Sequence, residues 1–322
     1  MMVSGHFAVQ NGGFIMAELQ KRRARRPLTK DEKVWMLFLA LPVMLVLIFH
    51  YGAMYGVVIA FQKFIPAKGL FGDQRWVGLD NFRYVFSLHN VWRAVYNTLA
   101  ISVWKLVLGI LVPVLVALML NEVRCSAFRR TVQTIVYLPH FLSWVILAGI
   151  FLDILSTTGV VNRFLGALGV GPVFFLGSNS VFRGTLIVTD VWKSFGYSSI
   201  IYLATITGID PSLYESASMD GAGRFRCIWY ITLPGIAGII ALMTVLNIGN
   251  LLNAGFEQVL NLYSPQVYES GDIIDTFVYR FGLLEAKYGP SQAVSLLKSL
   301  ISSLLTIVAY AAAYKFADYS LF

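Results

Sequence analysis

The 322-residue chain is 57% hydrophobic and only 13% charged, whereas soluble domains carry about a quarter charged residues, so composition excludes an ordinary water-soluble fold and indicates a lipid-embedded one. The net charge of +8 would suit nucleic acid if it formed one surface patch. Instead seven of the 25 basic residues precede residue 34, directly ahead of a long apolar run, which is how the cytoplasmic flank of a membrane span looks.

Residues 1–20 are mixed, glycine-containing and without period, and read as a loosely ordered leader in which Met16 is a second candidate start. Lys21, Arg22, Arg23, Arg25, Arg26, Lys30 and Lys33 complete a basic leader over residues 1–33. The run Val34–Phe61 is nearly free of charge and exceeds the ~20 residues a bilayer requires. It is too long for a signal-peptide core and no small-residue cleavage site follows it. Gly52 and Gly56 form a GxxxG contact face within it. Further spans are expected over Ala94–Leu120, Val132–Leu155, Gly184–Thr207, Gly235–Phe256 and Ala293–Phe316. The expected fold is therefore all-α, a polytopic membrane protein with six transmembrane helices. Long connections rich in aromatic residues, Gly and Pro (62–93, 156–183, 257–292) alternate with shorter polar ones (121–131, 208–234). Six spans put both termini on one side. Lys and Arg are only modestly in excess there, but the cluster beside the first span sets that side, with Arg124, Arg129, Arg130 and the loop 208–234, as cytoplasmic.

The loop 208–234 carries its own local signals. Asp210 can cap, and Pro211 can occupy the first turn of, a short helix. Gly221 and Gly223 break that helix, since glycine tolerates the positive φ of a sharp turn. Phe225, Ile228 and Trp229 then share one face of a second short helix. Two short helices carrying Glu215 make a knob fit for a groove on another protein, or simply a polar hairpin between spans. The chain has no GxxxxGK[ST] and no Gly-Lys dipeptide, so it lacks the cradle that holds nucleotide phosphates.

Polar residues at membrane depth are costly and face a cavity or a partner. In the fourth span Asp190, Lys193 and Tyr197 share a helical face beside Trp192 and Ser194, and in the fifth Asn247, Asn250 and Asn253 recur every third residue. One reading is a sugar path, because amides and aromatic rings bind hydroxyls and apolar ring faces. The other is glue between helices, with Asp190 and Lys193 neutralising each other at i, i+3. Lys193 is costly unpaired, at least about 2.5 kcal/mol, and so needs Asp190 or an anionic substrate. Lys105 and Lys298 are assigned to snorkelling or packing. Cys125 and Cys227 are packing residues, and His6, His50, His89 and His140 are too scattered for a metal site, so no metal is expected.

One segment is specific: Tyr214-Glu215-Ser216-Ala217-Ser218-Met219-Asp220-Gly221 through Ile231-Thr232-Leu233-Pro234. It resembles the EAA loop of binding-protein-dependent ABC importer permeases, with Glu215, Ala217, Gly221, Ile231, Leu233 and Pro234 in register and Ser216 replacing an alanine. The resemblance implies that this loop docks on the ATPase subunit, with Glu215, Ala217, Asp220, Gly221, Leu233 and Pro234 as the coupling residues. Trp76–Phe86, Tyr96–Leu99, Leu138–Val145, Asn253–Val259 and Asp318–Phe322 are similar to the carbohydrate branch, more narrowly to the LplB-type oligosaccharide permeases that include the alginate-oligosaccharide importer. Residues 34–322 would then be a permease domain in the bacterial inner membrane, and related maltose permeases line their path with the same two spans. The implied partners are a second homologous permease, two ATPase subunits, an extracytoplasmic solute-binding protein and membrane lipid, with no nucleic acid. No cofactor is expected on this chain, ATP and Mg belonging to the ATPase. An amino acid, phosphate or metal-chelate cargo is the alternative within the class. An ion-coupled secondary transporter would show an inverted repeat, and none relates residues 34–155 to 184–316.

Overall fold

A computed structural model describes residues 29–317, leaving the basic cluster Lys21 to Arg26 and the closing Asp318–Phe322 outside the described residues. Its contacts divide into two units that meet between Gly56 and Val57. In the first, α1 (Lys30–Val46) runs on through a π turn, Leu47–Gly52. The apolar helix Lys33–Phe61 has mean hydropathy 2.2 and no buried residue in its most apolar window, the surface of a helix whose solvent is lipid or another protein.

In the second unit, the two-residue strands β1 (Gln62–Lys63) and β2 (Arg75–Trp76) pair antiparallel. The Gln74 amide closes their loop, accepting from Ile65 N at 2.9 Å and donating to the carbonyls of Ile65 and Gly69. Helices α2 (Asp80–Ser87), α3 (His89–Glu122), α4 (Ser126–Tyr137), α5 (Trp144–Ile154), α6 (Val160–Ala167) and α7 (Asn179–Thr207) follow. After them come α8 (Pro211–Met219), α9 (Arg224–Gly249), α10 (Phe256–Leu262), α11 (Tyr268–Gly271), α12 (Ile274–Tyr279) and α13 (Tyr288–Ala317). The main pairings are α3 along α7 and α9 along α13.

Lipid is as apolar as leucine, so helices in it associate through close packing and hydrogen bonds rather than by escaping water. The structure uses both. A Cβ at Gly196 would lie 2.0 Å from the Val136 carbonyl oxygen, so α7 meets the end of α4 backbone to backbone. Gly249 leaves room on α9 for the Thr306 side chain of α13, whose hydroxyl would lie 2.9 Å from a Cβ there. Apolar packing fills in around these contacts. Ile101, Leu147, Phe182, Leu186 and Val259 form the main core, while Val114, Ala117, Tyr202, Ile206 and Ile236 close the end nearer the loop 208–223. At the other end Asn97 donates to the carbonyls of Glu269 and Asp272, and Arg183 donates to Asn97 Oδ1 at 2.7 Å. These bonds hold α11 and the start of α12 to α3 and α7, and Asp272 pairs with Arg280 at 2.5 Å across the length of α12.

The expected spans are corrected in three places. Among the described residues four helices are long and apolar enough to cross a membrane: Lys33–Phe61, His89–Glu122, Arg224–Gly249 and Tyr288–Ala312. The expected span Val132–Leu155 is not one helix, because Ser126–Phe141 and Trp144–Ile154 meet at a bend of 106°. Pro139 interrupts the ladder there and Ser143 caps the new helix by accepting from Ile146 N. The expected span Gly184–Thr207 is part of a longer helix, α7, which begins at Asn179 and at 29 residues is about 43 Å long. That is enough to cross a bilayer, though Asp190, Lys193 and many hydroxyl residues make it less apolar than the other four. The fifth span was placed at Gly235–Phe256, yet its helix begins at Arg224 and stops at Gly249. The expected separate second knob helix is thus the first turn of α9. Phe225 and Trp229, expected to share one face of that helix, are 89% and 67% exposed.

Candidate functional site

The chain between α9 and α10, residues 250–255, is unwound. Asn250 and Asn253 hold turn bonds to Asn247 O and Asn250 O, and Gly255 sits at φ +95°, a conformation in which other residues are strained. Unwound backbone at membrane depth is tolerated where it lines a cavity or is buried in protein. Both conditions are met here. Ala254 is fully buried and its carbonyl accepts from Lys105 Nζ at 2.8 Å, while Asn250, Asn253 and Gly255 line a cavity of about 510 Å³.

α3 and α7 supply the rest of that cavity's polar wall, through Ser102, Lys105, Asp190, Ser194, Tyr197 and Ser198, and α9 adds Asn247. Lys105 Nζ also donates to Gln258 Oε1 at 2.5 Å and lies 3.4 Å from Asp190 Oδ1. Gln258 in turn donates to Leu186 O and Thr189 Oγ1. One cation thereby ties α3, α7, the unwound turn and α10 together. The Asn247 and Asn250 amides donate back to Met243 O and Leu246 O on their own helix, so the expected Asn-to-Asn glue across spans is absent for these two. Asn253 does reach across, its Oδ1 accepting from Lys298 Nζ at 2.8 Å, and Lys298 pairs with Asp275 at 2.5 Å.

Five of the seven residues singled out from the sequence therefore meet at one cavity: Asp190, Tyr197, Asn247, Asn250 and Asn253. Trp192 and Lys193 do not line it. Trp192 packs edge-on against Phe151 at 5.6 Å, and Lys193 Nζ lies over the Trp144 ring at 4.9 Å. Of the two readings, the Asp190 to Lys193 pair is not the one formed, since Asp190 pairs with Lys105. Lys105 and Lys298, assigned to snorkelling or packing, are both held inside the fold by ion pairs. Tyr197 is held face to face on His140 at 4.0 Å, a partner that the sequence gave no reason to choose. Lys105, Gln258 and Gly255 were missed as a group. The available signal was that Lys105 is the lone charge in an otherwise apolar span, and a charge at that depth marks a site by default.

The second feature is the knob. Asp210 Oδ1 accepts from Ser212 N at 2.9 Å, and this bond holds the Asp210 carboxyl below the usual carboxylate range. Pro211 follows in the first turn of α8. At the other end Ala222 N donates to Ala217 O and Gly221 N to Ser218 O, with Gly221 at φ +77°, which is a Schellman stop. Tyr214 OH bonds Thr232 Oγ1 at 2.9 Å, tying α8 to α9. The π turn Ile228–Thr232 directly precedes Leu233 and Pro234. A proline ring strikes the carbonyl four residues back, and widening the helix there relieves the clash. Glu215 and Asp220 are exposed, Met219 is 89% exposed, and Arg224 reaches Glu122 at 3.7 Å. An acidic knob with bare apolar side chains is a surface prepared for contact.

The profile of the family described as binding-protein-dependent transport system inner membrane component matches residues 109–317. The chain belongs to that family. It is 40% identical over 273 residues to the polygalacturonan/rhamnogalacturonan transport system permease protein YteP of Bacillus subtilis, covering 84% of this chain and 85% of that one. It is 39% identical to the protein LplB of the same organism, covering 89% and 91%. Its fold superimposes with a TM-score of 0.80, at 40% identity, on a chain of a crystal structure of a bacterial ABC transporter involved in the import of the acidic polysaccharide alginate, covering 89% of this chain and 98% of that one. A second structure of an alginate ABC transporter, in complex with an alginate pentasaccharide-bound periplasmic protein, matches equally well. The chain is thus a multi-pass inner-membrane transport component.

Proposed function

We propose that this chain is one of two permeases of an ATP-driven importer for an acidic oligosaccharide. An external solute-binding protein delivers the sugar, which passes the cavity beside Asp190, Tyr197, Asn247, Asn250 and Asn253. ATP and Mg stay on two partner ATPase subunits, which dock on the knob around Glu215, Ala217, Asp220 and Gly221, below Leu233 and Pro234. Both termini and the knob are cytoplasmic. The observation that carries the reading is similarity along nearly the whole chain, at 40% identity, to permeases whose names specify polygalacturonan and alginate. The cavity supports it, because hydroxyl and amide groups at an unwound turn suit a sugar better than an apolar cargo.

Co-purifying the chain with its neighbouring subunits and measuring ATP hydrolysis with loaded binding protein tests the proposal. Short uronate oligomers are expected to stimulate hydrolysis. Stimulation by amino acids or phosphate alone would defeat it.

A further inference from the structure

Of the 17 residues lining the cavity, two are charged, Lys105 and Asp190. The ammonium of Lys105 has three N–H groups. Two are committed to the neutral oxygens of Ala254 and Gln258, at 2.8 and 2.5 Å, and the third faces Asp190 at 3.4 Å, the longest of the three contacts. The Lys105 side chain is 10% exposed and that of Asp190 is 30% exposed. The cation is thus fixed in place by neutral acceptors, while its counter-ion is the wetter and more loosely held partner. A carboxylate entering the cavity meets one N–H that an anion already occupies weakly, and charge-assisted bonds of this kind are about twice as strong as neutral ones.

We infer that Lys105 is the cation that reads a carboxylate of the transported sugar, and that Asp190 is the counter-ion it exchanges. While the cavity is empty, Asp190 neutralises Lys105, because an unpaired ammonium at this depth is costly. When a uronate arrives, its carboxylate takes the third N–H and Asp190 turns to the water and hydroxyls of the cavity. A neutral sugar offers no replacement charge, so the internal pair stays closed and holds that part of the cavity against it. Lys298 does not share the task, since it lies behind Asn253 and is paired with Asp275. This assignment rests on the proposed acidic substrate and adds the residue that recognises it.

The test uses the full transporter in proteoliposomes with its binding protein, and a labelled oligouronate. Lys105→Gln, which can still donate to Ala254 O, is expected to assemble, read as co-purification of the complete complex at wild-type yield. Uptake should fall roughly tenfold, the scale of one lost charge contact, and Lys105→Arg should restore most of it. Asp190→Asn removes the competing anion, so equilibrium dialysis of the solubilised complex should show oligouronate bound roughly tenfold more tightly, a gain larger than any for a neutral oligosaccharide, which cannot use the freed charge. Wild-type uptake in Lys105→Gln, or unchanged uronate affinity in Asp190→Asn, overturns the inference. So does equal loss of assembly in Lys105→Gln and Lys105→Arg, which marks a purely structural cation. If the wild-type transporter itself imports only neutral sugars, the proposed substrate class fails, a result distinct from uronate import that ignores Lys105.

Discussion

Gly221 and Gly255 both sit at positive φ, but a side chain would meet different surroundings at each. Around Gly221 a Cβ finds open space, whereas at Gly255 it would come within 2.9 Å of Lys105 Nζ. Gly221→Val is therefore expected to cost about 1–2 kcal/mol of local backbone strain and to loosen the Schellman stop without disturbing the membrane helices. Co-purification of the ATPase subunits, measured beside membrane yield, checks this: partners should be lost while yield holds. Gly255→Ala should instead reduce uptake as well as stability, because it pushes on the cation. Gln258→Leu leaves the Leu186 carbonyl and Lys105 each short of a partner, at about 1–3 kcal/mol for a buried unsatisfied group, and a lowered unfolding midpoint of the purified assembly is the expected readout. The residue scale is also where sequence reading failed. Spacing offers Lys193 either Asp190, one helix turn away, or an anionic substrate, yet Asp190 pairs with Lys105 on a different helix and Lys193 lies over the Trp144 ring. Sequence spacing ranks local pairs and is blind to distant ones.

At the scale of elements, what was legible followed from how local the cause was. The knob was readable almost entirely, since Asp210, Pro211, Ala217 and Gly221 act within α8 through caps and φ angles. Long apolar runs announced α1, α3, α9 and α13. The unwound turn at 250–255 was not readable, because the contacts that hold it come from α3 and α13. The 106° bend after Phe141, by contrast, had local signals in Pro139 and Ser143 that the continuous apolar run masked. The close approach of α7 to α4 makes a sharp prediction. Gly196→Leu should abolish stable expression, since the new side chain would have to pass through the Val136 carbonyl, while Gly223→Ala, with an ordinary φ of −75° and open space around it, should behave as wild type. At the start of α8, the Asp210 cap works as a carboxylate. Its pKa is lowered in the folded chain, so its contribution is present above the ordinary carboxylate pKa and is lost as pH falls through the lowered value. Asp210→Asn should therefore keep ATPase docking at neutral pH, and Asp210→Ala should weaken it, in the same co-purification assay.

For the whole molecule the open question is direction. The proposed orientation puts the knob in the cytoplasm and the β1–β2 hairpin outside. With Cys125, which is exposed, and Cys227 replaced, a cysteine at Ser218 should react with an impermeant maleimide only in inside-out vesicles, and one at Asp73 only in right-side-out ones. The reverse pattern would overturn the orientation and with it the placement of the ATPase.

The polarity of α7 bears on how such a protein is made. A segment this polar gains less from lipid than the other long helices, because each central charge opposes partitioning by roughly 2.5–3.5 kcal/mol. α3 precedes it in the chain and brings Lys105 to Asp190 and Asn97 to Arg183. Biogenesis is then expected to couple the two helices: α3 is apolar enough to enter lipid first, and α7 is held in the bilayer once it packs along α3, which neutralises Asp190 and gives Arg183 a partner.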